Sequence, residues 1–130
     1  MANTDTERLA LEFVMKLERD AGRSPMDVSH RGVPYDILSA PRKIEVKAFG
    51  RSARGEVLAL EESQVAEARQ DPDNFYLYVV DHVTTGDGTP MAVRVIHGAL
   101  LAQMLDRTPP TVSYWATLRV REYDELIPVS

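Results

Sequence analysis

The sequence predicts an α/β protein in which a mixed β-sheet is flanked by helices. Residues 43–48 alternate strictly between charged and apolar side chains, the pattern of a strand with two different faces. Residues 75–80 are almost continuously apolar and β-prone, which is typical of a central strand covered on both sides. Leu9, Phe13 and Leu17 recur at helical spacing and predict an amphipathic N-terminal helix. Layers of helices on a sheet are therefore expected.

The remaining elements follow from hydrophobic periodicity and from the residues that favour turns. Turns at 39–41 and 85–90 each join two strands into a hairpin. We predict a helix over 6–21, strands over 26–29, 35–38, 43–49 and 56–60, a helix over 61–70, strands over 75–80 and 91–96, a helix over 97–106 and a strand over 112–121.

Length and composition exclude several classes of protein. A chain of 130 residues suits a single domain with an ordinary core. It has no cysteine, so disulfides, thiolate metal sites and cysteine nucleophiles are excluded, and the three histidines lack zinc-ligand spacing. No apolar run reaches membrane length, and the acidic start does not resemble a targeting signal. We expect a soluble cytoplasmic protein with no membrane partner.

The charge distribution leaves room for a nucleic-acid partner. The net charge of −5 argues against bulk attraction to DNA. Residues 42–54, however, hold five basic side chains against one acid, a local charge of +4. Arg51 and Arg54 lie in a loop with a glycine at each end, and with Lys43 they could contact phosphates. The alternative is that this loop is only a solvated turn.

The hairpin over residues 35–49 is where the sequence predicts a reactive site. Pairing of its two strands can bring Asp36 beside Glu45, with Lys47 next to Glu45 on the same face. Two carboxylates and one ammonium can bind a hard divalent cation beside a positive group. The alternative is a structural ion-pair cluster on a half-exposed sheet.

The ordered set of motifs along the chain resembles the PD-(D/E)xK, or restriction-endonuclease-like, nuclease superfamily. More specifically, it resembles the domain at the C-terminus of NO VEIN proteins, a family of unknown function. The resemblance covers residues 8–83, and the residue before Asp36 is tyrosine rather than the proline of the superfamily motif. The motifs are a glutamate on the first helix at Glu12, Tyr35-Asp36-Ile37, Ile44-Glu45-Val46-Lys47, a helix bearing Gln64 and Ala68, and Tyr76-Leu77-Tyr78-Val79-Val80.

This resemblance implies a restriction-endonuclease-like core and a metal-dependent active site. Mg²⁺ or Mn²⁺ would be bound by Asp36, Glu45 and the backbone carbonyl of Val46. Lys47 would orient the attacking water or stabilise the pentavalent oxyanion. The resemblance therefore implies a hydrolase acting on phosphodiesters.

Two further residues complete the implied site. Glu12 would hold a metal-bound water from the other side, although its spacing also suits an ion pair with Lys16 on the helix surface. Gln64 stands where many relatives carry a glutamate, which removes one negative charge. The number of metals bound is therefore open.

Three functions are consistent with these observations. The first is a metal-dependent nuclease acting on DNA, in defence or repair. The second is a non-catalytic module of the same fold that binds nucleic acid or protein. The third is an interaction subunit, in a homodimer or with a larger protein partner, that uses the face bearing Trp115; otherwise we expect Trp115 to be half-covered by the residues that follow it.

Overall fold

The computed structural model describes residues 3–83 and 87–129 and shows a five-stranded mixed sheet with flanking helices. The predicted α/β class is confirmed. None of the described helices is long and apolar enough to cross a bilayer. The elements are α1 (Asn3–Asp20), β1 (Met26–Asp27), β2 (Ile37–Ser39), β3 (Arg42–Ala48), α2 (Glu62–Gln70), β4 (Phe75–Asp81), β5 (Ala92–His97), α3 (Gly98–Asp106) and α4 (Val120–Glu125).

The strands lie side by side in chain order, β1-β2-β3-β4-β5. β2 pairs antiparallel with both β1 and β3, and β5 pairs antiparallel with β4. β3 and β4 are parallel, with Glu45 opposite Leu77, so the chain must cross over between them. Residues 49–74 make that crossover and contain α2. The β2–β3 hairpin is therefore near the middle of the sheet, as predicted.

The alternation of β3 gives the sheet two different faces. Ile44 is completely buried on one face with Ala10 and Val14 of α1. The opposite face packs against α2 and α3, where Leu77 is buried in a second apolar cluster. Since Glu45 follows Ile44 on the strand, its side chain points away from α1. The second cluster consists of Ala68, Phe75, Leu77 and Leu101.

The helix α1 is confirmed, but its buried stripe differs from the predicted one by one position. Ala10, which shares the predicted face with Leu9, Phe13 and Leu17, is buried with Val14 and Glu18. Leu9 and Phe13 are partly buried against the same core, whereas Leu17 is exposed. Both sets repeat every four residues, so periodicity alone does not choose between them. Tertiary contacts decide, because Glu18 finds partners in the interior.

Glu18 is the centre of a buried hydrogen-bond network between α1 and β4. Its carboxylate accepts hydrogen bonds from Arg23 Nη2 at 2.9 Å and from the Tyr78 hydroxyl at 2.8 Å. The Tyr78 oxygen in turn accepts one from Arg42 at 2.7 Å. Burial acts to raise the pKa of Glu18, but the hydrogen bonds from Arg23 and Tyr78 outweigh it and lower the pKa to about 2. The carboxylate is therefore charged and paired in the folded protein.

The predicted strand over 56–60 is wrong, although the alternation behind it is real. Leu58 and Leu60 pack against the second apolar cluster, while Val57 between them is 84% exposed. The sheet formed by the described residues consists of β1 to β5, and residues 56–60 pair with none of these strands. The side chains of this segment therefore alternate between packed and exposed although the segment is not a strand of the sheet.

The predicted strand over 112–121 is also wrong. Residues 108–119 are outside any helix or strand, and α4 begins at Val120. Trp115 is 93% exposed, so the expectation that the following residues half-cover it is wrong as well. A strand needs a partner strand, and this segment has none among the described residues. Of the predicted turn over 85–90, Thr85 and Gly86 lie outside the described residues.

Replacing Glu18 should show how much its network stabilises the fold. Glu18→Ala leaves Arg23 and Tyr78 without their acceptor, and we expect a loss of about 3 kcal/mol in the free energy of unfolding. Glu12→Ala on the same helix removes only an exposed partner of Arg8 and should cost less than about 0.5 kcal/mol. Urea unfolding at pH 7, followed by circular dichroism, measures both; equal losses would contradict the assigned role.

The same network predicts a pH dependence. The pKa of Glu18 is lowered from 4.5 to about 2, so the unfolded chain binds the proton more tightly. This stabilisation is complete above pH 4.5 and is lost as the pH falls toward 2. Glu18→Gln should therefore reduce the loss of stability across that acid range.

Candidate functional site

The β2–β3 hairpin brings Asp36 and Glu45 together, as the sequence predicts. The Asp36 amide donates to the Ile44 carbonyl at 2.9 Å, and Asp36 Oδ2 accepts from the Val46 amide at 2.9 Å. These bonds place the Asp36 carboxyl beside the neighbouring residue of β3. Glu45 is only 6% exposed, and the two carboxyl groups are within hydrogen-bonding reach of each other.

Burial and mutual repulsion favour protonation of this carboxyl pair. Burial and the charge of Asp36 together raise the pKa of Glu45 from 4.5 to about 7, although Lys47 opposes both. The Lys47 Nζ lies 3.3 Å from Glu45 Oε2. Burial also raises the pKa of Asp36, against the hydrogen bond from Val46. Near neutral pH, the pair therefore shares a proton that Glu45 donates toward Asp36.

The carboxyl pair opens onto a cavity of about 330 Å³ between the hairpin and the start of α2. Its lining is rich in carboxyl, hydroxyl and amide groups. The polar side chains in this lining include those of Ser29, Asp36, Glu45, Glu61, Ser63 and Gln64. A cavity with a few convergent polar groups and a shifted pKa is typical of a binding or catalytic site.

Gln64 lies in the predicted place, on the wall of this cavity. It is buried, and its Oε1 accepts the Glu61 amide at 2.9 Å, which helps to begin α2. Glu61, Ser63 and Ser29 also line the cavity but were missed from the sequence. The nearest signal for the first two is their position within three residues of Gln64, at a predicted helix start.

Glu12 is not brought to the carboxyl pair. It is exposed, and its carboxylate lies 3.4 Å from Arg8 on the same helix. The helix packs on the Ile44 face of the sheet, whereas Glu45 is on the opposite face. The sheet thus separates Glu12 from the cavity. The predicted pairing of Glu12 with Lys16 is also wrong, because Lys16 contacts Asp20 at 2.8 Å.

Lys43 is held by α2 rather than presented to solvent. Its ammonium lies 2.6 Å from Glu67 and 3.0 Å from Asp71. Hydrogen bonds to these two acids raise the pKa of Lys43. The lysine therefore attaches β3 to α2 beside the cavity, and its charge is already paired.

Arg51 and Arg54 are exposed in the loop that leaves the end of β3. The loop is anchored at two points along β4 and the residue after it. The Arg51 carbonyl accepts the His82 amide at 3.1 Å, and the Ala53 amide donates to Asp81 at 3.0 Å. The backbone between them is thus held in place, while both guanidinium groups reach into solvent.

The site offers two carboxylates to a metal ion. Within residues 3–83 and 87–129, no cluster of three or more histidine, aspartate or glutamate side chains is arranged to hold one. Mg²⁺ is usually bound through one or two carboxylates, with waters and substrate oxygens completing its shell, so this donor set fits it. The Val46 carbonyl lies on the same side of the strand as the amide that bonds Asp36, and can supply a third oxygen.

A family model for the C-terminal domain of protein NO VEIN matches residues 6–95. This chain belongs to the NO VEIN C-terminal family. The match includes the whole hairpin, α2, β4 and most of β5, so it reaches further than residue 83, where the motif resemblance ends. Comparisons with curated proteins and with solved structures found no match. In this NO VEIN C-terminal domain, α3 and α4 lie beyond the matched residues.

The raised pKa of Glu45 predicts how the metal-free protein responds to pH. The pKa rises from 4.5 to about 7 on folding, so the folded state binds the proton more tightly than the unfolded chain. The resulting stabilisation is complete below pH 4.5 and is lost as the pH rises through 7. In a chelator at pH 8, Glu45→Gln should be as stable as wild type or more stable, by up to about 1–3 kcal/mol.

Thermal melting of the two proteins from pH 5 to pH 8 measures this difference. It should grow with pH, because only the wild type acquires the second buried negative charge. A variant that melts lower than wild type at pH 8 would instead place Glu45 in a structural ion pair with Lys47.

Proposed function

We propose that this domain is a divalent-metal-dependent nuclease that hydrolyses DNA phosphodiesters. The observation that carries the proposal is the Asp36–Glu45 carboxyl pair, with Lys47 at 3.3 Å from Glu45, beside an open polar cavity. Two buried like-charged groups are unfavourable for the fold by themselves. Such arrangements are found where a ligand or a reaction needs them.

The order of the elements supports a restriction-endonuclease-like core. An N-terminal helix precedes the hairpin that carries both carboxylates, and α2 then leads into the parallel strand β4. This is the order in which the motifs of the PD-(D/E)xK resemblance occur. The sheet presents Asp36, Glu45 and Lys47 together on one side of its centre.

The residues that would hold Mg²⁺ or Mn²⁺ are Asp36, Glu45 and the carbonyl of Val46. When bound, the ion would lower the pKa of a water and neutralise charge on the phosphate. In the metal-free protein Glu45 shares its proton with Asp36, so that proton must leave before both oxygens can act as ligands.

Lys47 and the start of α2 would act on the substrate itself. The Lys47 ammonium, 3.3 Å from Glu45, can donate to the attacking water or to a phosphate oxygen as negative charge develops. The Ser63 hydroxyl and the Gln64 amide line the same cavity and can position the phosphate. Arg51 and Arg54 would contact flanking phosphates of the DNA backbone.

The net charge of −5 favours a second candidate, a non-catalytic binding module of the same fold. A nuclease and a binding module differ in whether DNA is cleaved or only retained. Plasmid cleavage and DNA retention therefore distinguish the two candidates.

Cleavage of supercoiled plasmid in Mg²⁺ tests the catalytic assignment. Asp36→Asn, Glu45→Gln and Lys47→Ala should each reduce the rate by about 10²-fold or more, and their losses should not add because the groups act as a unit. Glu12→Gln is the matched control, since this exposed carboxylate lies on the other face of the sheet, and it should cleave like wild type. Equal cleavage by wild type and Glu45→Gln would refute the nuclease assignment.

Thermal melting with Mg²⁺ tests metal binding without a substrate. For a Kd of about 1 mM, ~10 mM Mg²⁺ adds roughly 1.4 kcal/mol, or about 3–8 °C at this chain length. Glu45→Gln should gain much less. A gain in wild type without cleavage of plasmid, together with salt-dependent retention of DNA, would favour the binding module.

The loop arginines make a separate prediction about DNA affinity. Replacing Arg51 and Arg54 with alanine should weaken binding evenly across DNA sequences and reduce the salt slope by up to ~2 units. Lys43→Ala should change the slope little, because the ammonium of Lys43 is already paired with Glu67 and Asp71. Fluorescence anisotropy at several salt concentrations measures the slopes; an unchanged slope in the double variant would show that the loop is only a turn.

A further inference from the structure

The C-terminal segment, residues 108–129, leaves α3 and contributes no buried side chain to the described part of the fold. Every residue in it is exposed. Tyr114 is 92% exposed and Trp115 93% exposed, although both are large and apolar enough to be expected in an interface. From 111 to 120 its composition is that of a strand, with alternating side chains and several β-branched and aromatic residues.

Among the residues that the structure describes, no strand pairs with the outer edge of β5. β5 is the last strand of the sheet, and its six residues make it longer than β1, the two-residue strand at the other edge. Val95 on β5 is 47% exposed. A long edge strand with exposed apolar residues is a template for pairing with another strand.

The linker after α3 contains two consecutive prolines, and the segment that follows is not part of the sheet of its own chain. Pro109 and Pro110 restrict that part of the chain to extended backbone, so it does not turn back directly after the helix. Each copy thus presents one unpaired strand and one unpaired edge. A two-fold exchange between two identical chains satisfies both at once, whereas a different partner would satisfy only one of them.

We propose that residues 111–119 form a sixth strand on the β5 edge of a second copy, and that two copies exchange these segments reciprocally. One face of each added strand would bring Tyr114 and Leu118, and the other would bring Trp115. An aromatic side chain buries about 150–250 Å². Four aromatics and the edge surface they cover bring the total close to the roughly 1,600 Å² of a stable interface.

The test uses the full-length protein and its single tryptophan, Trp115. Sedimentation velocity from about 1 to 200 µM should show a dimer that dissociates on dilution, and Trp115 emission should shift to longer wavelength as it does. Ala116→Pro/Thr117→Pro removes two successive amide donors, so one needed by the ladder is lost whichever way the strand faces. Because these two residues are exposed and lie outside any helix or strand, we expect this variant to keep its fold and to be a monomer.

A second variant blocks the edge instead of the strand. Val95→Lys places a charge on β5 and should also give a monomer. Val57→Lys, the same change at an 84% exposed valine in a loop, is the matched control and should remain dimeric. Circular dichroism verifies the fold of each variant.

Mixing the two monomeric variants tests whether the strand of one copy binds the edge of the other. The proline variant keeps a free edge and Val95→Lys keeps a free strand, so the mixture should form a one-to-one complex with Trp115 of the Val95→Lys chain blue-shifted. Because the mixture keeps only one of the two reciprocal contacts, it should associate more weakly than the wild type. The proposal is overturned if the wild type is monomeric throughout, if the proline variant or Val95→Lys still dimerises, or if the mixture associates as tightly as the wild type, which would show a single contact instead of an exchange. A monomeric wild type includes the cases in which the segment pairs within its own chain or serves another protein.

Discussion

The position of β3 between two helical layers is the constraint on which the rest of this structure depends. Its Ile44 side is sealed by α1, and its other side faces α2 and the cavity. A strand paired on both edges and covered on both faces leaves its charged residues little contact with bulk water, so partners inside the protein stabilise them. Lys43 finds Glu67 and Asp71, and Lys47 finds Glu45.

The two buried charged clusters on either side of the sheet differ in their balance. Around Glu18, one carboxylate meets a guanidinium and a hydroxyl, and its pKa falls to about 2. At Glu45, two carboxylates meet one ammonium, and its pKa rises to about 7. The first cluster is satisfied by the fold alone. The cluster at Glu45 keeps an excess of negative charge, and it also borders a cavity. For these two reasons we propose that the catalytic site is there.

The C-terminal segment also carries groups that its own fold does not cover. Its side chains have the character of an interior strand, but the fold that ends with α3 provides no interior for them. Two features are uncovered in each copy: the exposed side chains of Tyr114 and Trp115, and the outer edge of β5. In the proposed dimer a second copy would supply a partner for each of them.

The sequence by itself determined the elements whose pattern is local: α1, the β2–β3 hairpin, α2, β4, β5 and α3, and hence the juxtaposition of Asp36 with Glu45 and Lys47. Strand alternation and turn residues depend on only a few neighbouring positions, so they can be recognised in the sequence without knowledge of the fold. Tertiary structure alone decided which stripe of α1 is buried, and that Glu12 is on the wrong face of the sheet. It also decided that residues 56–60 and 112–121 are not strands of the described sheet. Strand pairing depends on segments that are far apart in the sequence, so a local pattern cannot predict it.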